Sequence, residues 1–124
     1  MAEKKTLICG GDAEFVMHLG GLTTTGRYGK KVFLIYIIFD NEVNKSTGGQ
    51  NTYQKHINYL ALAKSCGWMT TRNIVKSLPD FEKELREILK NNTGLYFVHV
   101  KCNLDNDFPR PTANEIIKSK ESFK

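Results

Sequence analysis

Val32-Phe33-Leu34-Ile35-Tyr36-Ile37-Ile38-Phe39 is an unbroken apolar run with no polar alternation, rich in β-branched and aromatic residues. A strand with one wet face alternates. A strand that does not must be covered on both faces, as the central strands of parallel sheets are. The run is too short to cross a bilayer, so it calls for burial inside a folded domain. The rest of the sequence supplies the layers. Thr6-Leu7-Ile8-Cys9 reads as a strand ended by Gly10-Gly11. From about Ala13 to Tyr28, the residues Phe15, His18, Leu19 and Leu22 recur at helical spacing and predict one amphipathic helix. Gly20 and Gly21 weaken that helix in isolation, and in a packed helix they would admit a neighbouring backbone. A second helix is expected from about Tyr53 to Ser65, with Ile57, Leu60, Ala61 and Ala63 inward and Gly67 past its end. Trp68 to Ile74 reads as a weak strand. Pro79-Asp80 opens a charged helix with Phe81, Leu85, Ile88 and Leu89 inward and Glu82, Lys83, Glu84, Arg86 and Glu87 outward. Leu95 to Val100 is a further strand. Phe108-Pro109-Arg110-Pro111-Thr112 leads into a last helix near Asn114 to Glu121.

The order β-α-β-α-β-α-β-α predicts an α/β fold, a mostly parallel sheet with helices on both faces. At 124 residues and 14.1 kDa the chain fits one domain. No charged-then-apolar leader opens it, and the cytoplasm is the expected compartment. Cys9, Cys66 and Cys102 form no CxxC pair and are an odd set, so buried reduced thiols are expected in place of a disulfide framework. The net charge of +5 invites a nucleic-acid partner. Yet Lys30-Lys31, Lys64, Lys83, Arg86, Lys90, Lys118, Lys120 and Lys124 are scattered, with no run of five like charges. Neither nucleic acid nor membrane is an expected partner. A mild positive bias suits an anionic ligand.

Ligands of parallel α/β sheets bind beyond the carboxyl ends of the strands. Gly10-Gly11-Asp12 and Asp40-Asn41 fall there. Asp12 can serve as an N-cap, and Asp40-Asn41 as a loop opener. Together, a carboxylate and an amide oxygen at adjacent strand ends are hard donors that suit Mg²⁺, which takes few protein ligands alongside waters and phosphate oxygens. The helix beginning near Ala13 aims its N-terminus at the same space. Ser46-Thr47-Gly48-Gly49-Gln50 is either a simple Gly-rich turn or a segment whose glycines let backbone N–H groups approach an anion. His18 and His99 lie on apolar segments and are expected to be packed, His56 is expected on a helix surface, and Trp68, Tyr96 and Phe97 read as core or sheet-edge aromatics. A haloacid-type phosphatase would need Asp-x-Asp, which Asp12-Ala13-Glu14 does not supply.

Gly11-Asp12-Ala13 followed at a fairly fixed distance by Asp40-Asn41 resembles the cofactor motif of thiamine diphosphate enzymes, Gly-Asp-Gly then Asn-Asn. His18-Leu19-Gly20-Gly21-Leu22-Thr23-Thr24-Thr25-Gly26-Arg27-Tyr28, the Ser46 to Gln50 string and the Phe108 to Phe123 tail are similar to the phosphonopyruvate decarboxylases, with the sulfopyruvate decarboxylases second. The resemblance implies a diphosphate-binding domain over residues 1–124 that lacks its first strand–helix unit. It implies thiamine diphosphate and Mg²⁺ as cofactors, with Asp12, the Asn41 side chain and the Val43 main-chain carbonyl on the metal. Gly11, Asp12, Ala13 and Asn41 would meet the cofactor, and Ser46, Thr47, Gly48, Gly49 and Gln50 would border the active site. The implied reaction is decarboxylation of a small acidic 2-oxo acid, 3-phosphonopyruvate to phosphonoacetaldehyde and CO₂, in phosphonate biosynthesis. The implied assembly is an oligomer in which a pyrimidine-binding domain or subunit supplies the activating glutamate. Nothing here matches that half, so the chain alone is expected to be inactive. The motif's third position is Ala13 in place of Gly, and Glu14 would lie near the diphosphate, where like charges repel. The alternatives are a truncated, non-catalytic interacting module and a sulfopyruvate decarboxylase subunit.

Overall fold

The computed structural model describes residues 4–103, so the tail from Phe108 and the helix expected near Asn114 lie outside the described residues. Four parallel strands form the main sheet in the order β1-β2-β6-β5: β1 (Lys5–Gly11), β2 (Phe33–Asp40), β5 (Met69–Thr70) and β6 (Gly94–Lys101). A small antiparallel hairpin, β3 (Val43–Asn44) and β4 (Gln50–Asn51), stands beyond it. The doubly apolar run is an interior strand, paired with β1 on one side and β6 on the other. Both its faces are covered. Phe33, Ile35 and Ile37 join Val98 and Ile88 on one face, while Ile38 joins Phe15, Tyr59 and Phe97 on the other. Helices α1 (Asp12–Met17), α2 (Leu19–Tyr28) and α3 (Tyr59–Ser65) cover the Ile38 face, and α4 (Leu78–Leu89) covers the opposite one. Trp68, Tyr96 and Phe97 are core aromatics, as their sequence context suggests.

The predicted helix from Ala13 to Tyr28 is two helices. His18 breaks it with φ −119° and ψ 27°, and Leu19 opens a second helix. The break turns His18 out to solvent, so it is exposed and not packed. Gly20 and Gly21 have nothing within 4 Å of a built Cβ and admit no neighbour; the tight approach is at Gly26. A Cβ there would sit 1.8 Å from the Cys66 carbonyl oxygen, so α2 and the end of α3 meet backbone to backbone. The Trp68 indole N–H donates to the Leu22 carbonyl at 3.0 Å across the same junction.

Helix α3 starts later than the periodicity suggests. Tyr53 has φ +52°, and the Asn58 side chain caps the helix by accepting the Ala61 N–H at 3.0 Å. Ala61 is exposed as a result, and Tyr59 takes the inward place. Helix α4 is capped by Ser77, whose oxygen accepts the Asp80 N–H, with Pro79 in its first turn. Its Leu89 points outward at 42% exposure. The cysteines are free but not buried: Cys9 is exposed, and Cys66 and Cys102 are half-buried. Strand β1 is an edge of the described sheet, and its Leu7 and Ile8 are exposed. Among the described residues, no helix is long and apolar enough to cross a membrane.

Candidate functional site

The register of the sheet places Gly11 opposite Phe39, so the chain leaves β1 and β2 at one carboxyl edge. A cavity of about 490 Å³ opens there. Gly11, Asp12, Ala13, Asn41, Val43 and Ser46 line it, together with Gly10, Glu14 and Lys45. Thr47, Gly48, Gly49 and Gln50 form the exposed tip of the β3–β4 hairpin and do not line it. Gly48 and Gly49 have φ +131° and +82°, and the Gly49 N–H donates to the Asn44 carbonyl at 2.9 Å, closing the tip as a turn.

Asp12 is 1% exposed, and one of its carboxylate oxygens accepts the Thr52 hydroxyl at 2.8 Å. Asp12 is the first residue of α1, but the cap position is Gly11 and no side chain caps the helix. The buried carboxylate is therefore tied to the residue that follows β4, and Asp12 also lines the cavity. Asn41 is half-buried, and its Oδ1 accepts the Val43 N–H at 3.1 Å. An amide oxygen has a second lone pair, so this bond leaves it able to coordinate. The donor set of carboxylate, amide oxygen and main-chain carbonyl is hard and small in number, which fits Mg²⁺. Asp12 and Glu14 outweigh Lys45 around the cavity, so an anion gains by entering with a divalent cation.

Behind the Asn41 turn lies a second cavity of about 310 Å³, which the sequence reading did not foresee. Asp40, the last residue of β2, is 7% exposed. Its Oδ2 accepts from His99 Nε2 at 2.9 Å and from Lys101 Nζ at 3.0 Å, and its Oδ1 accepts the Glu42 N–H at 3.1 Å. Burial pushes the Asp40 carboxyl up, but the hydrogen bonds from His99 and Lys101 outweigh it and hold the group below its ordinary range. The ionised carboxylate only accepts, so His99 Nε2 carries the proton. Lys101 and Lys55 also bind the Glu42 carboxylate, and their hydrogen bonds hold it below its usual range. Burial pulls the Lys101 ammonium down, but hydrogen bonds to Glu42 and Asp40 raise it overall. Burial, then the charges of Asp12, Asp40 and Glu42, push the Tyr59 phenol well up, so it stays a neutral donor to Gln54. His99 is packed as expected; His56 is exposed in the loop before α3 and not on a helix. The parallel register carries the one missed signal, since it sets Asp40 beside Lys101 and Ile38 beside His99.

Fold and cavity define an α/β domain with a cavity beyond the carboxyl ends of its parallel strands, the place where sheets of this kind bind ligands. Residues 1–100 match the family described as thiamine pyrophosphate enzyme, C-terminal TPP binding domain, and the chain belongs to that family. It is 39% identical over 88 residues to the sulfopyruvate decarboxylase subunit beta of Methanocaldococcus jannaschii, covering 70% of this chain and 45% of that one. It is 31% identical over 97 residues to the phosphonopyruvate decarboxylase of Streptomyces viridochromogenes, covering 78% of this chain and 24% of that one. An X-ray structure of a chain from Mycobacterium smegmatis shares the fold, with a TM-score of 0.60 at 16% identity over 80% of this chain and 18% of that one. The chain thus spans less than half the length of these relatives.

Proposed function

We propose that this chain is the diphosphate-binding part of a thiamine diphosphate-dependent decarboxylase acting on a 2-oxo acid with a second anionic group. The observation that carries the reading is the joint placement of Asp12, Asn41 and Val43 around one carboxyl-edge cavity, in a chain of this family. Asp12 supplies the charged ligand to Mg²⁺, Asn41 its amide oxygen and Val43 its carbonyl. Gly11 and Ala13 line the cavity, and a Cβ on Gly11 would stand in open space, with nothing within 4 Å. Ser46 lines the site, and the hairpin tip from Thr47 to Gln50 stands outside it. When bound, the cofactor supplies a nucleophilic carbon and an electron sink for the bond broken to CO₂; the chain's share is positioning and charge compensation.

The sulfo and phosphono substrates share one chemistry, a 2-oxo acid with an anionic group on carbon 3. The higher identity to the sulfopyruvate relative favours 3-sulfopyruvate. That relative is named as subunit beta, which supports a second chain in the working enzyme. The expected second chain carries a pyrimidine-binding domain.

The test is calorimetric titration with thiamine diphosphate at fixed Mg²⁺. Asp12→Asn should weaken binding most, and Asn41→Ala less, because water partly refills its place. Equal affinity for wild type and both variants would remove the site assignment. Substrate is then assigned by comparing CO₂ release from 3-sulfopyruvate and 3-phosphonopyruvate once the second chain is added.

A further inference from the structure

Glu42 holds a left-handed backbone, φ 60°, between the two residues that contribute Asn41 and Val43 to the first cavity. That conformation is uncommon for a residue with a Cβ and is strained. It turns the chain so that Asn41 and Val43 line one cavity while Glu42 lines the other. Every polar group of Glu42 is engaged. Its N–H donates to Asp40 Oδ1 at 3.1 Å, and its carbonyl accepts the Thr52 N–H at 2.9 Å. Its carboxylate takes Lys101 Nζ on one oxygen and Lys55 Nζ, at 3.2 Å, on the other. Lys55 is largely exposed, with 79% of its side chain in solvent, and contributes little. Lys101 is the stronger partner. It is only 32% exposed and is held at the same time by Asp40, which His99 fixes from β6.

We infer that the Lys101–Glu42 pair, anchored through Asp40 and His99, is a positioning device that holds the Asn41–Val43 turn in the shape its metal ligands need. The inference rests on the metal reading proposed above. Neither Lys101 nor Glu42 touches the first cavity, so they act through the backbone. Lys101 joins β6 to a turn that leaves β2, which ties the metal loop to the sheet on a rigid strand.

The experiment measures Mn²⁺, standing in for Mg²⁺, by electron paramagnetic resonance on the purified chain with saturating thiamine diphosphate, which supplies the phosphate oxygens. Removing a group that orients metal ligands typically costs 10- to 100-fold in affinity. Lys101→Met, which keeps the apolar stem, should weaken Mn²⁺ binding about tenfold or more, and Lys101→Arg should restore most of it. Glu42→Gly should stay within about threefold of wild type, because glycine adopts φ 60° without a side-chain anchor. Glu42→Ala, which keeps the Cβ and loses the anchor, should fall with Lys101→Met. In the Glu42→Gly background, Lys101→Met should have little further effect. A merely stabilising Lys101 would lower the unfolding temperature in both backgrounds alike and leave Mn²⁺ affinity independent of the residue at 42. Equal Mn²⁺ affinity for wild type and Lys101→Met overturns the inference alone. Absence of Mn²⁺ binding in wild type overturns the metal reading and the inference with it. Were Lys101→Met not to fold, Glu42→Gly against Glu42→Ala decides: equal affinities overturn the inference.

Discussion

Asp40→Asn isolates charge from shape at a buried carboxylate that accepts three hydrogen bonds. The Asn oxygen can still accept the Glu42 N–H that Asp40 Oδ1 takes at 3.1 Å. The new amide nitrogen then stands where Oδ2 met two donors, His99 Nε2 and Lys101 Nζ, at 2.9 and 3.0 Å. Histidine can move its proton to the other ring nitrogen and accept from the amide, so its loss is small. Lysine cannot accept. It forfeits one charge-assisted bond, worth about 1.5–3 kcal/mol, and keeps Glu42. The expected cost of Asp40→Asn is therefore about 2 kcal/mol. Asp40→Ala also strands the Glu42 N–H and His99, and should cost about 4 kcal/mol, in the range for breaking a buried ion pair. At roughly 3–6 °C per kcal/mol, between the values for smaller and larger domains, Asp40→Asn should lower the melting temperature by roughly 6–12 °C. The assay is urea and thermal denaturation followed by circular dichroism at neutral pH. A cost below about 0.5 kcal/mol for Asp40→Asn would refute the charge-assisted bond. Equal costs for Asn and Ala would refute the tautomer exchange at His99.

Gly26→Ala should destabilise by about 2 kcal/mol or more in urea titration, because its Cβ would sit 1.8 Å from the Cys66 carbonyl oxygen, whereas Gly20→Ala, with open space, should stabilise by about 0.5–1 kcal/mol. Thr52→Val removes the hydroxyl that donates to buried Asp12 and should cost about 1.5–3 kcal/mol of stability by the same measurement. Glu14→Ala should tighten thiamine diphosphate binding in the calorimeter, most at low salt where screening is weak, since Glu14 lines the cavity.

Much of the fold was legible because long-range burial leaves a local mark. The unalternating Val32 to Phe39 run marks a strand covered on both faces, and the structure makes it interior. Helix breaks left weaker marks. His18 belongs to an intact apolar spacing, and only the tertiary path of the chain turns it outward. Gly26 looked like any other glycine, since what needs it is a carbonyl forty residues downstream, at Cys66. The expected residues at the carboxyl edge were read from spacing plus resemblance, and the structure brings Gly11, Asp12, Ala13, Asn41, Val43 and Ser46 around one cavity. The Asp40–His99–Lys101–Glu42 cluster was not read, because its partners meet only through the register of β2 on β6, which no local pattern encodes.

That register also sets when the cluster can exist during folding. Asp40 and Lys101 are 61 positions apart, and His99 is 59 from Asp40. None of their bonds can form until a long loop has closed and the central parallel pair has zipped, an entropic debt that local elements such as α4 do not carry. Helix α4, with its own cap and its Arg86–Glu82 pair, can flicker into being early. The charges at the carboxyl edge come together only with the sheet itself, so a partly folded chain has its helices in part and its ligand-facing turn not at all.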